Sequence, residues 1–573
     1  MKKKYWIAAL FIYFVASATY SQNWETFGGN SSRNGLSRIQ GPVTANPALW
    51  QVQSSMNSSL GMAVYSFGDK FVNSRTTFSP YTSRVECRDL NNGNLLWVSP
   101  YISNTSILYA IGMNEDAVYA HDYNTDTVYA LNTLDGSIKW RGSTLSHTFG
   151  AYPGCVFACN GDPILNASQG SGNFTMRLDK NNGNLVWTNN NIIVIGPAVA
   201  LAANSNTVYR ITGGITTPVR LTAIDINNGQ TKYSSAPVPG DPDQEDPLIL
   251  GTDSSIYFWR DGGNLFAYRD NGSALVQKWM YVPSSSTTTP LLRNITLGQG
   301  KTMYLFENNQ VKRLSTQTGA VLSTLTLNVN SCASISVGKD STVYINNGAG
   351  IIYVYSADLQ TLKWQKNIPS ATYLNPPLCK DGTIILSQSG TTITGLRESQ
   401  ALAPVADFRS SGRNVIAGQP VDFYDQSSFQ PNSWQWQFPG SNQGSASLQN
   451  PTGITYNSPG TYPVTLKVQN SLGSDSCTKT CYLEVFQTTD IKEKITNSFF
   501  VYPNPANNFI SVAHLEINQN EIPLNILDAE GKTVLVSSIN HSEEKIDISS
   551  LPPGIYILRL MRYGVPSIRL VKQ

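Results

Sequence analysis

The chain contains 573 residues with a net charge of +2, and 14% of its residues are charged while 10% are aromatic. At ~100–200 residues per domain, this length predicts three or four domains, and the aromatic and branched apolar content excludes charge-rich disorder for most of the chain. The near-neutral charge balance gives no electrostatic reason to expect a nucleic-acid ligand.

The N-terminus has the layout of a secretory signal peptide over residues 1–22. Lysines at positions 2–4 precede an apolar run from Tyr5 to Val15, and small residues follow at positions 16–18. This run is shorter than the ~20 apolar residues that a transmembrane helix needs. We therefore expect Sec-type export, cleavage between Ala18 and Asn23, no lipid anchor, and no transmembrane segment in the mature protein.

Seven cysteines are scattered along the chain and form no evident disulfide framework. Cys155 and Cys159 are four residues apart, as are Cys477 and Cys481. Four residues of one extended strand span ~13 Å, whereas a disulfide needs Cα atoms within ~7 Å of each other. Neither local pair can bridge unless its strand folds back, so the favoured interpretation is that the cysteines are buried as small hydrophobic residues.

A glycine–aromatic signature recurs along the next part of the chain, and its aromatic positions are 41 to 47 residues apart. A polar residue is followed four positions later by glycine, and a large aromatic residue comes four positions after that. This period is typical of a repeat architecture, and a four-stranded propeller blade needs ~40–50 residues. The copies are Asp89–Gly93–Trp97, Asn132–Gly136–Trp140, Asp179–Gly183–Trp187 and Asp225–Gly229–Tyr233, then the two degraded copies Gly272–Trp279 and Gly319–Ser323, and a last full copy with Gln360 and Trp364.

Each residue type in the signature has a structural role. Short β-branched and aromatic runs such as 127–130 and 207–209 predict strands between the copies. Glycine after asparagine suits the positive φ of a tight hairpin turn. The aromatic side chain can fill the wedge between neighbouring blades and bury ~150–250 Å². We therefore interpret these residues as structural and expect no cofactor on the tryptophans.

The pattern resembles the pyrroloquinoline-quinone (PQQ) type β-propeller repeat over residues 23–398, and the segment from Trp24 to Gly35 resembles the start of that family. Trp50 precedes Trp97 by 47 residues and so keeps the period. The last predicted strands, 383–386 and 391–396, have no aromatic strand of their own after Glu398. We expect residues 48–50 to supply it, which would close the ring and remove an exposed edge. The count predicts eight blades, with seven as the fallback.

The resemblance raises the question of quinone chemistry. In the dehydrogenases of that family, PQQ lies between a tryptophan and a disulfide of adjacent cysteines, with calcium beside it and an aspartate as base. This chain has no Cys-Cys dipeptide, and its predicted propeller is short for such an enzyme. The repeat is shared with scaffold propellers, including an outer-membrane-assembly lipoprotein. We therefore predict no PQQ and no catalytic residues.

Other reactive or metal-binding patterns are weak. The four histidines lack metal-binding spacing, and His121, followed by Asp122, is interpreted as a satisfied loop residue. Asp241, Asp243 and Glu245 alternate on a loop and offer oxygen ligands of the kind that Ca²⁺ prefers. Flanking prolines stiffen this loop and it lacks the bend-forming glycine of a calcium loop, so a solvated acidic loop is favoured over a calcium site.

A second module is predicted at 404–486, after a short linker at 399–404. Val464, Leu466 and Val468 alternate as a half-buried strand requires, and Trp434, Trp436 and Phe438 share a second face. These strands predict an Ig-like sandwich with both faces in its core. The Trp-x-Phe-Pro-Gly and Pro-Gly-Thr-Tyr-x-Val motifs resemble a PKD domain, a family that implies a spacer, adhesion or glycan-contact role.

A third module is predicted at 499–573, after a polar linker at 487–498. Alternating strands and Pro/Gly turns predict another small antiparallel sandwich. The segment resembles the type A C-terminal sorting domain of the Bacteroidetes type IX secretion system, which implies passage through the outer membrane and then release or surface anchoring. The residues that carry this resemblance are Tyr502, Pro503, Asn504, Pro505, Gly554 and Tyr556.

The sequence thus predicts an all-β protein, with a propeller followed by two Ig-like sandwiches. Its favoured function is non-catalytic binding: a rigid propeller, held away from the envelope by the PKD module, contacts a polysaccharide or an extracellular protein. The type IX machinery is the expected export partner. One alternative is an enzyme that uses the propeller mouth, either a PQQ-dependent dehydrogenase or a hydrolase or lyase. Another is an envelope assembly scaffold.

Overall fold

The computed structural model describes residues 23–573 apart from 27–28, 45–46, 56–60, 79–80, 101–106, 123–124, 126, 144–153, 170–171, 191–200, 215–216, 240–247, 261–263, 284–294, 328–333, 348–349, 369–375, 388–390, 488–498, 503–504, 515–521, 529–531, 540–542 and 561–567. The described residues form 48 β-strands and one 3₁₀ turn at Lys380–Gly382, without an α-helix. The prediction of an all-β protein is therefore confirmed. Residues up to Phe486 belong to one compact unit and residues from Gln487 onwards to a second.

Eight four-stranded antiparallel sheets account for the described strands between residues 48 and 397, an arrangement consistent with the blades of a β-propeller. Sheets 1 to 7 are each built from four consecutive strands, and sheet 8 combines three late strands with β1. In chain order the strands are β1 (Ala48–Gln53); β2 (Gly61–Phe67), β3 (Lys70–Phe78), β4 (Tyr81–Asp89) and β5 (Leu95–Val98) in sheet 1; β6 (Leu108–Met113), β7 (Val118–Asp122), β8 (Thr127–Leu131) and β9 (Ile138–Ser143) in sheet 2; β10 (Val156–Phe157), β11 (Pro163–Gln169), β12 (Gly172–Leu178) and β13 (Leu185–Asn189) in sheet 3; β14 (Ala202–Ala203), β15 (Thr207–Gly214), β16 (Thr217–Asp225) and β17 (Thr231–Ser234) in sheet 4; β18 (Leu248–Leu250), β19 (Ser255–Trp259), β20 (Leu265–Asp270) and β21 (Leu275–Tyr281) in sheet 5; β22 (Ile295–Gly298), β23 (Thr302–Glu307), β24 (Gln310–Ser315) and β25 (Val321–Thr326) in sheet 6; β26 (Ser334–Val337), β27 (Val343–Asn346), β28 (Ile351–Tyr355) and β29 (Leu362–Asn367) in sheet 7; and β30 (Leu378–Cys379), β31 (Thr383–Ser387) and β32 (Thr392–Arg397) in sheet 8.

The N-terminal strand completes the last sheet. β1 pairs antiparallel with β32, with Trp50 opposite Gly395 and Val52 opposite Ile393. Both strands contribute to one hydrophobic cluster, in which Trp50 and Val52 pack against Ile393 and Leu396. The expectation that residues 48–50 supply the missing strand is therefore confirmed, and the two ends of this region are joined by a backbone ladder.

The turns between the first and second strands of each sheet define one face, which we call the first-turn face. It comprises turns 68–69, 114–117, 158–162, 204–206, 251–254, 299–301, 338–342 and 380–382. The segment before β1 lies along this face, because its carbonyl oxygens accept hydrogen bonds from residues at the ends of successive first strands. These pairs are Met113 N to Glu25 O (2.9 Å), Ala203 N to Ser31 O (2.7 Å), Leu250 N to Ser32 O (2.9 Å), Leu297 N to Asn34 O (2.7 Å) and Val337 N to Gly35 O (3.0 Å).

The predicted PKD region forms a five-stranded sheet, β34-β41-β40-β37-β38, and two two-stranded sheets, β33-β36 and β35-β39. The strands are β33 (Phe408–Ser410), β34 (Asn414–Ile416), β35 (Pro420–Val421), β36 (Phe423–Asp425), β37 (Ser433–Gln437), β38 (Ser445–Ala446), β39 (Ile454–Thr455), β40 (Gly460–Asn470) and β41 (Gly473–Phe486). Val464, Leu466, Val468, Trp436 and Phe438 are buried in its core, as the alternation predicts.

Trp434 differs from the other residues of the predicted aromatic face. It is only half-buried and packs against the edge of the PKD core. Its indole Nε1 donates a hydrogen bond of 2.9 Å to the Asp425 carboxylate. The ring therefore has a polar partner at its outer edge, which explains why an indole is suited to this half-buried position.

The C-terminal unit contains a three-stranded sheet, β42-β43-β46, and a four-stranded sheet, β45-β44-β47-β48. Its strands are β42 (Phe499–Tyr502), β43 (Phe509–His514), β44 (Ile522–Leu527), β45 (Thr533–Ile539), β46 (Glu543–Asp547), β47 (Gly554–Leu560) and β48 (Ile568–Lys572). Ile510, Val512, Leu524, Ile526 and Leu558 are buried in one core. This unit has its own hydrophobic core, as expected for an independent module.

Candidate functional site

The glycine and aromatic residues of the repeat meet across neighbouring sheets. Gly136 has a φ of +75°, and a Cβ atom added to it would lie 2.5 Å from Cε3 of Trp97. The Trp97 indole Nε1 also donates a hydrogen bond of 3.2 Å to the carbonyl oxygen of Thr133 in the same turn. Each such indole thus packs on the glycine of the following sheet. The pairs are Trp50–Gly93, Trp97–Gly136, Trp140–Gly183, Trp187–Gly229 and Trp279–Gly319.

Two positions of the repeat depart from this indole–glycine contact: Trp364, the last tryptophan, and Ser323, which replaces the aromatic residue. Trp364 donates from Nε1 to the carbonyl oxygen of Pro42 (3.0 Å), in the segment just before β1. Ser323 stands where the sixth copy would have its aromatic residue. The next turn carries Leu359, which is buried with a φ of +65°, beside the exposed Gln360. A buried leucine thus occupies the turn that no indole covers.

Some predicted site residues lie outside the described residues or away from the propeller. The calcium candidates Asp241, Asp243 and Glu245 fall in 240–247, which is outside the described residues, as are Pro503 and Asn504 of the sorting motif. Tyr502 ends β42, Pro505 is exposed and Gly554 begins β47. Tyr556 is buried in the C-terminal unit, and its hydroxyl donates a hydrogen bond of 2.7 Å to the carbonyl oxygen of Pro552.

A cleft of about 610 Å³ opens on the first-turn face, between the PKD region on one side and sheets 1 to 5 with the segment before β1 on the other. Its volume lies within the ~300–1,000 Å³ typical of small-molecule sites. The propeller side is formed by the turns 204–206 and 251–254 and by the ends of the adjacent strands. The opposite side is formed by β41 of the PKD region, through Lys479, Cys481 and Tyr482. All of its lining residues are described, and we take this cleft as the candidate functional site.

A carboxylate between two tyrosines organises the propeller side of the cleft. Asp270 accepts hydrogen bonds from the hydroxyls of Tyr209 (2.5 Å) and Tyr233 (2.7 Å) and from the backbone N–H of Gly272 (2.7 Å). Burial raises the pKa of both tyrosine hydroxyls above the ordinary value for tyrosine, and the neighbouring Asp270 carboxylate raises it further. Both hydroxyls therefore stay protonated at neutral pH and act as fixed hydrogen-bond donors.

The PKD region is docked on the first-turn face through polar contacts at several of its turns. Glu115 accepts hydrogen bonds from the Ser410 backbone N–H (2.9 Å) and the Tyr482 hydroxyl (2.5 Å). At sheet 8, the Asp381 carboxylate accepts from the backbone N–H of Phe429 (2.8 Å). The PKD region therefore packs against the propeller within one compact unit.

Charged side chains at this interface are paired. Arg413 contacts Asp116 (3.2 Å), Lys479 contacts Asp407 (2.9 Å), and Arg38 of the N-terminal segment contacts Asp475 (2.5 Å). Burial alone would lower the pKa of the Lys479 ammonium, but Asp407 and Glu115 outweigh burial and raise it. Arg413 behaves similarly beside Asp116, so both cations keep their charge. Removing one partner of such a buried pair costs about 3–5 kcal/mol.

A disulfide also crosses the interface. Cys159 in turn 158–162 bonds to Cys481 of β41, across a sequence separation of 322 residues and with a Cα–Cα distance of 5.6 Å. The interpretation of these two cysteines as buried hydrophobic residues is therefore wrong, because the bridge joins one member of each local pair. That interpretation holds for Cys155 and Cys477, which are buried free thiols, as are Cys87 and Cys379. Burial raises the pKa of the Cys155 thiol to about 12, so it is unreactive at neutral pH.

Two observations bear on metal binding and on His121. Among the described residues, no group of three or more His, Cys, Asp or Glu side chains is arranged to hold a metal ion. His121 lies within strand β7 rather than in a loop, is 2% exposed, and is paired across the sheet with Val128. It is absent from the lining of the cleft.

The part of the chain that the structure describes contains no helix with the length and hydropathy needed to span a bilayer.

Three family models match the chain, in the order in which its modules occur. Residues 49–294 match the model described as outer membrane protein assembly factor BamB, and residues 406–482 match the PKD domain. Residues 500–568 match the secretion system C-terminal sorting domain. Among curated proteins, no sequence matches the chain.

Solved structures with similar folds include PQQ-type propeller proteins. The quinohemoprotein alcohol dehydrogenase of Comamonas testosteroni has 12% identity and a TM-score of 0.49, covering 68% of this chain and 83% of its own. Enzyme ADHIIG of Pseudomonas putida HK5 has 10% identity and a TM-score of 0.50, covering 66% and 81%. BamB of Moraxella catarrhalis has 14% identity and a TM-score of 0.44, covering 61% and 100%. At these identities, the similarity concerns the fold alone.

The module order and the matches together give the class of the protein. The propeller carries PQQ-type repeats of the BamB kind, and a PKD domain follows it. The sorting domain at the end indicates type IX export, with the secretion machinery as partner. The chain therefore combines a PQQ-like β-propeller, a PKD domain and a type IX sorting domain, in a protein that is secreted or displayed on the cell surface.

Proposed function

We propose that this protein is an exported binding protein without catalytic activity, and that a closed propeller of eight blades and its docked PKD domain hold a ligand cleft between them. The polysaccharides and proteins outside the cell are its candidate ligands. The observation that carries the proposal is the cleft of about 610 Å³, whose two sides come from different domains. Small-molecule and cofactor sites form preferentially at such domain junctions.

The number of blades is supported by the chain of contacts between sheets. Each indole packs on the turn of the following sheet, from Trp50 on Gly93 through Trp279 on Gly319. Trp364 of sheet 7 donates to the carbonyl oxygen of Pro42, in the segment that leads into the strand completing sheet 8. Sheet 8 in turn contacts sheet 1 through Trp50, so the series returns to its starting point after eight sheets. Closure of this kind leaves no unpaired blade edge at the two ends of the propeller.

The state of the polar groups in the cleft favours binding over catalysis. Asp270 already accepts three hydrogen bonds, from two tyrosine hydroxyls and one backbone N–H. Tyr209 and Tyr233 have raised pKa values and are poor nucleophiles at neutral pH. The cations on the PKD side are paired with carboxylates. Side chains that are hydrogen-bonded or ion-paired to one another fix the shape of the cleft and do not provide a reactive group.

The proposal is tested by measuring binding of the purified mature protein to immobilised polysaccharides and extracellular matrix proteins. We expect saturable binding to at least one of them. A parallel sample reconstituted with PQQ and Ca²⁺ is assayed for dye-linked oxidation of alcohols and sugars. Absence of binding throughout, or oxidation by the reconstituted sample, would contradict the proposal. A periplasmic location of the processed protein would instead favour an assembly scaffold.

A further inference from the structure

The cleft lies where the repeat departs from its own pattern. Tyr233 of sheet 4 stands at the position that is tryptophan in sheets 1, 2, 3, 5, 7 and 8. The following glycine, Gly272, has no heavy atom within 4 Å of the position a Cβ would take, whereas Gly136 and Gly229 are covered by an indole. The phenol of Tyr233 bonds to Asp270 of the next sheet. The junction between sheets 4 and 5 is thus held by a hydrogen bond and not sealed by an indole.

Tyr233 therefore presents a half-buried ring in a fixed orientation at the cleft. Its hydroxyl is held by Asp270, and Asp270 is held in turn by Tyr209 and Gly272. A tyrosine tethered in this way offers a flat apolar surface with little conformational entropy left to lose on binding. Such a surface complements the face of a pyranose ring, where several C–H groups point in one direction.

Neutral hydrogen-bonding groups surround that ring. Asn204, Ser205 and Asn206 are exposed in one turn and Thr252 and Ser254 in the next, and all five line the cleft. Lys232 fixes the turn 204–206 in place, because its Nζ donates hydrogen bonds to the Asn206 carbonyl (3.1 Å) and the Thr207 hydroxyl (2.9 Å). Amides and hydroxyls both donate and accept hydrogen bonds, which suits the hydroxyl groups of a sugar.

The charges of the cleft favour a neutral ligand. Arg38, Arg413 and Lys479 each lie beside a carboxylate, at 2.5 Å, 3.2 Å and 2.9 Å, and the fourth cation, Lys232, is held by two neutral oxygens. A charged ligand would have to compete with these existing pairs, whereas a neutral one would leave them intact. The concave shape also favours a small rigid unit over a flat protein surface.

We propose that the cleft binds a pyranose unit of a neutral oligosaccharide, with the sugar ring against Tyr233 and its hydroxyls on the turns 204–206 and 251–254. This inference rests on the proposed binding function and specifies its site and ligand class.

The test uses the mature full-length chain and isothermal titration with single oligosaccharides. The probes are the hexamers of glucose in β-1,3, β-1,4 and α-1,4 linkage, mannohexaose, xylohexaose and chitohexaose, with hexagalacturonate and a heparin hexasaccharide as acidic probes. We expect at least one neutral hexamer to bind, and Tyr233→Ala to weaken its binding about tenfold or more, as truncation of a central aromatic contact does. Ser205→Trp, which fills the mouth of the cleft and removes no contact of Tyr233, should also weaken it.

Tyr424→Ala is the matched control, because Tyr424 lies in β36 beneath Arg409 (4.1 Å) and away from the cleft. It should bind as the parent does, and thermal unfolding checks that all variants are folded. Neutral binding that survives both cleft variants overturns the inference and leaves the proposed function standing. The same holds if only acidic saccharides or only proteins bind. Absence of every kind of binding overturns both.

Discussion

At the scale of single residues, the propeller depends on pairs of a small and a large residue that meet across sheet boundaries. The glycine has to tolerate a positive φ and also leave room for an indole, and only a residue without Cβ satisfies both conditions. The two requirements can be separated in this chain. Gly136 (φ +75°) faces Trp97, while Gly272 (φ +89°) faces open space.

We therefore predict that Gly136→Ala destabilises the protein more than Gly272→Ala. An alanine at positive φ costs about 1–2 kcal/mol. At position 136 the new Cβ also collides with the Trp97 indole, which adds about 1–3 kcal/mol of overpacking. Urea unfolding followed by tryptophan fluorescence measures both variants. Equal losses of unfolding free energy in the two variants would show that the indole contact contributes nothing beyond the backbone conformation.

Glu86 gives a second prediction at this scale. Its carboxylate is fully buried, contacts Arg88 (2.8 Å), and accepts hydrogen bonds from Ser54 (2.7 Å) and Ser55 (2.8 Å), which follow the closing strand. Burial alone would raise its pKa, but Arg88 and the two serines outweigh burial and lower it. Because the pKa of Glu86 is lower in the folded protein than in the unfolded chain, its carboxylate stabilises the fold above the unfolded-state pKa of about 4.3. This contribution is lost as the pH falls through the folded-state pKa.

Glu86→Gln should therefore reduce the unfolding free energy at pH 6 by about 1.5–3 kcal/mol, the range for hydrogen bonds to charged groups. Below about pH 4 the parent loses the same contribution, so the difference between the two proteins should shrink. Urea unfolding at several pH values between these limits gives the comparison. A difference that is independent of pH would mean that the charge of Glu86 is not what stabilises this contact.

At the scale of elements, strand β1 completes sheet 8 by pairing with β32. Trp50 packs between Gly93 of sheet 1 and Gly395 of sheet 8, and its ring lies 6.0 Å from that of Phe71. Its neighbour Leu49 points outward and is 46% exposed. One strand thus carries Trp50, which joins sheets 8 and 1, beside Leu49, which joins none.

Trp50→Ala should lower the unfolding free energy by about 3 kcal/mol, the lower end of the range for deleting a large aromatic side chain, because Trp50 is half-buried. Leu49→Ala, on the same strand, should change it by no more than about 0.5 kcal/mol. Limited proteolysis supplies an independent readout, since a loosened β1 exposes the segment before sheet 1 to cleavage. Comparable stability of the two variants would contradict the role of Trp50 in closure.

The elements that could be predicted from sequence are those specified locally. The repeat period and the Asn-Gly turns are short-range signals, and the position of Trp50 extends the same period. The strands and the pairing of β1 with the last strand of sheet 8 could therefore be predicted from the sequence. The cleft had no such signal. Lys479 and Asn206 are distant in sequence and line the same cleft only because the PKD domain is docked. The bridge from Cys159 to Cys481 was missed for the same reason, because only each cysteine's local neighbour was tested by spacing.

At the scale of the whole molecule, docking converts two modules into one body with a cleft. The interface combines hydrogen bonds at Glu115, ion pairs at Asp116 and Asp475, and the Cys159–Cys481 disulfide. An exported protein folds in an oxidising compartment, where such a bridge persists. The disulfide lines the cleft and joins its two sides, so it holds them at a fixed separation.

The double substitution Cys159→Ser, Cys481→Ser should lower stability by about 2–5 kcal/mol and let the PKD domain open more often. Hydrogen exchange reports this opening at the Ser410 and Phe429 amides, which donate to Glu115 and Asp381 of the propeller. Both should exchange faster, whereas amides in the β40–β41 ladder within the PKD sheet should not. Cys477→Ala, at a buried free thiol of the same strand, is the control for a general loss of PKD stability.

Treatment of the parent with a reductant should reproduce the exchange pattern of the double variant, because the bridge is the covalent link that both remove. Ligand binding at the cleft should weaken in both samples, since part of the affinity of a preorganised site comes from not having to order its walls on binding. Unchanged exchange at Ser410 and Phe429 would mean that the ion pairs and hydrogen bonds alone keep the PKD domain docked. The disulfide would then make no measurable contribution to docking.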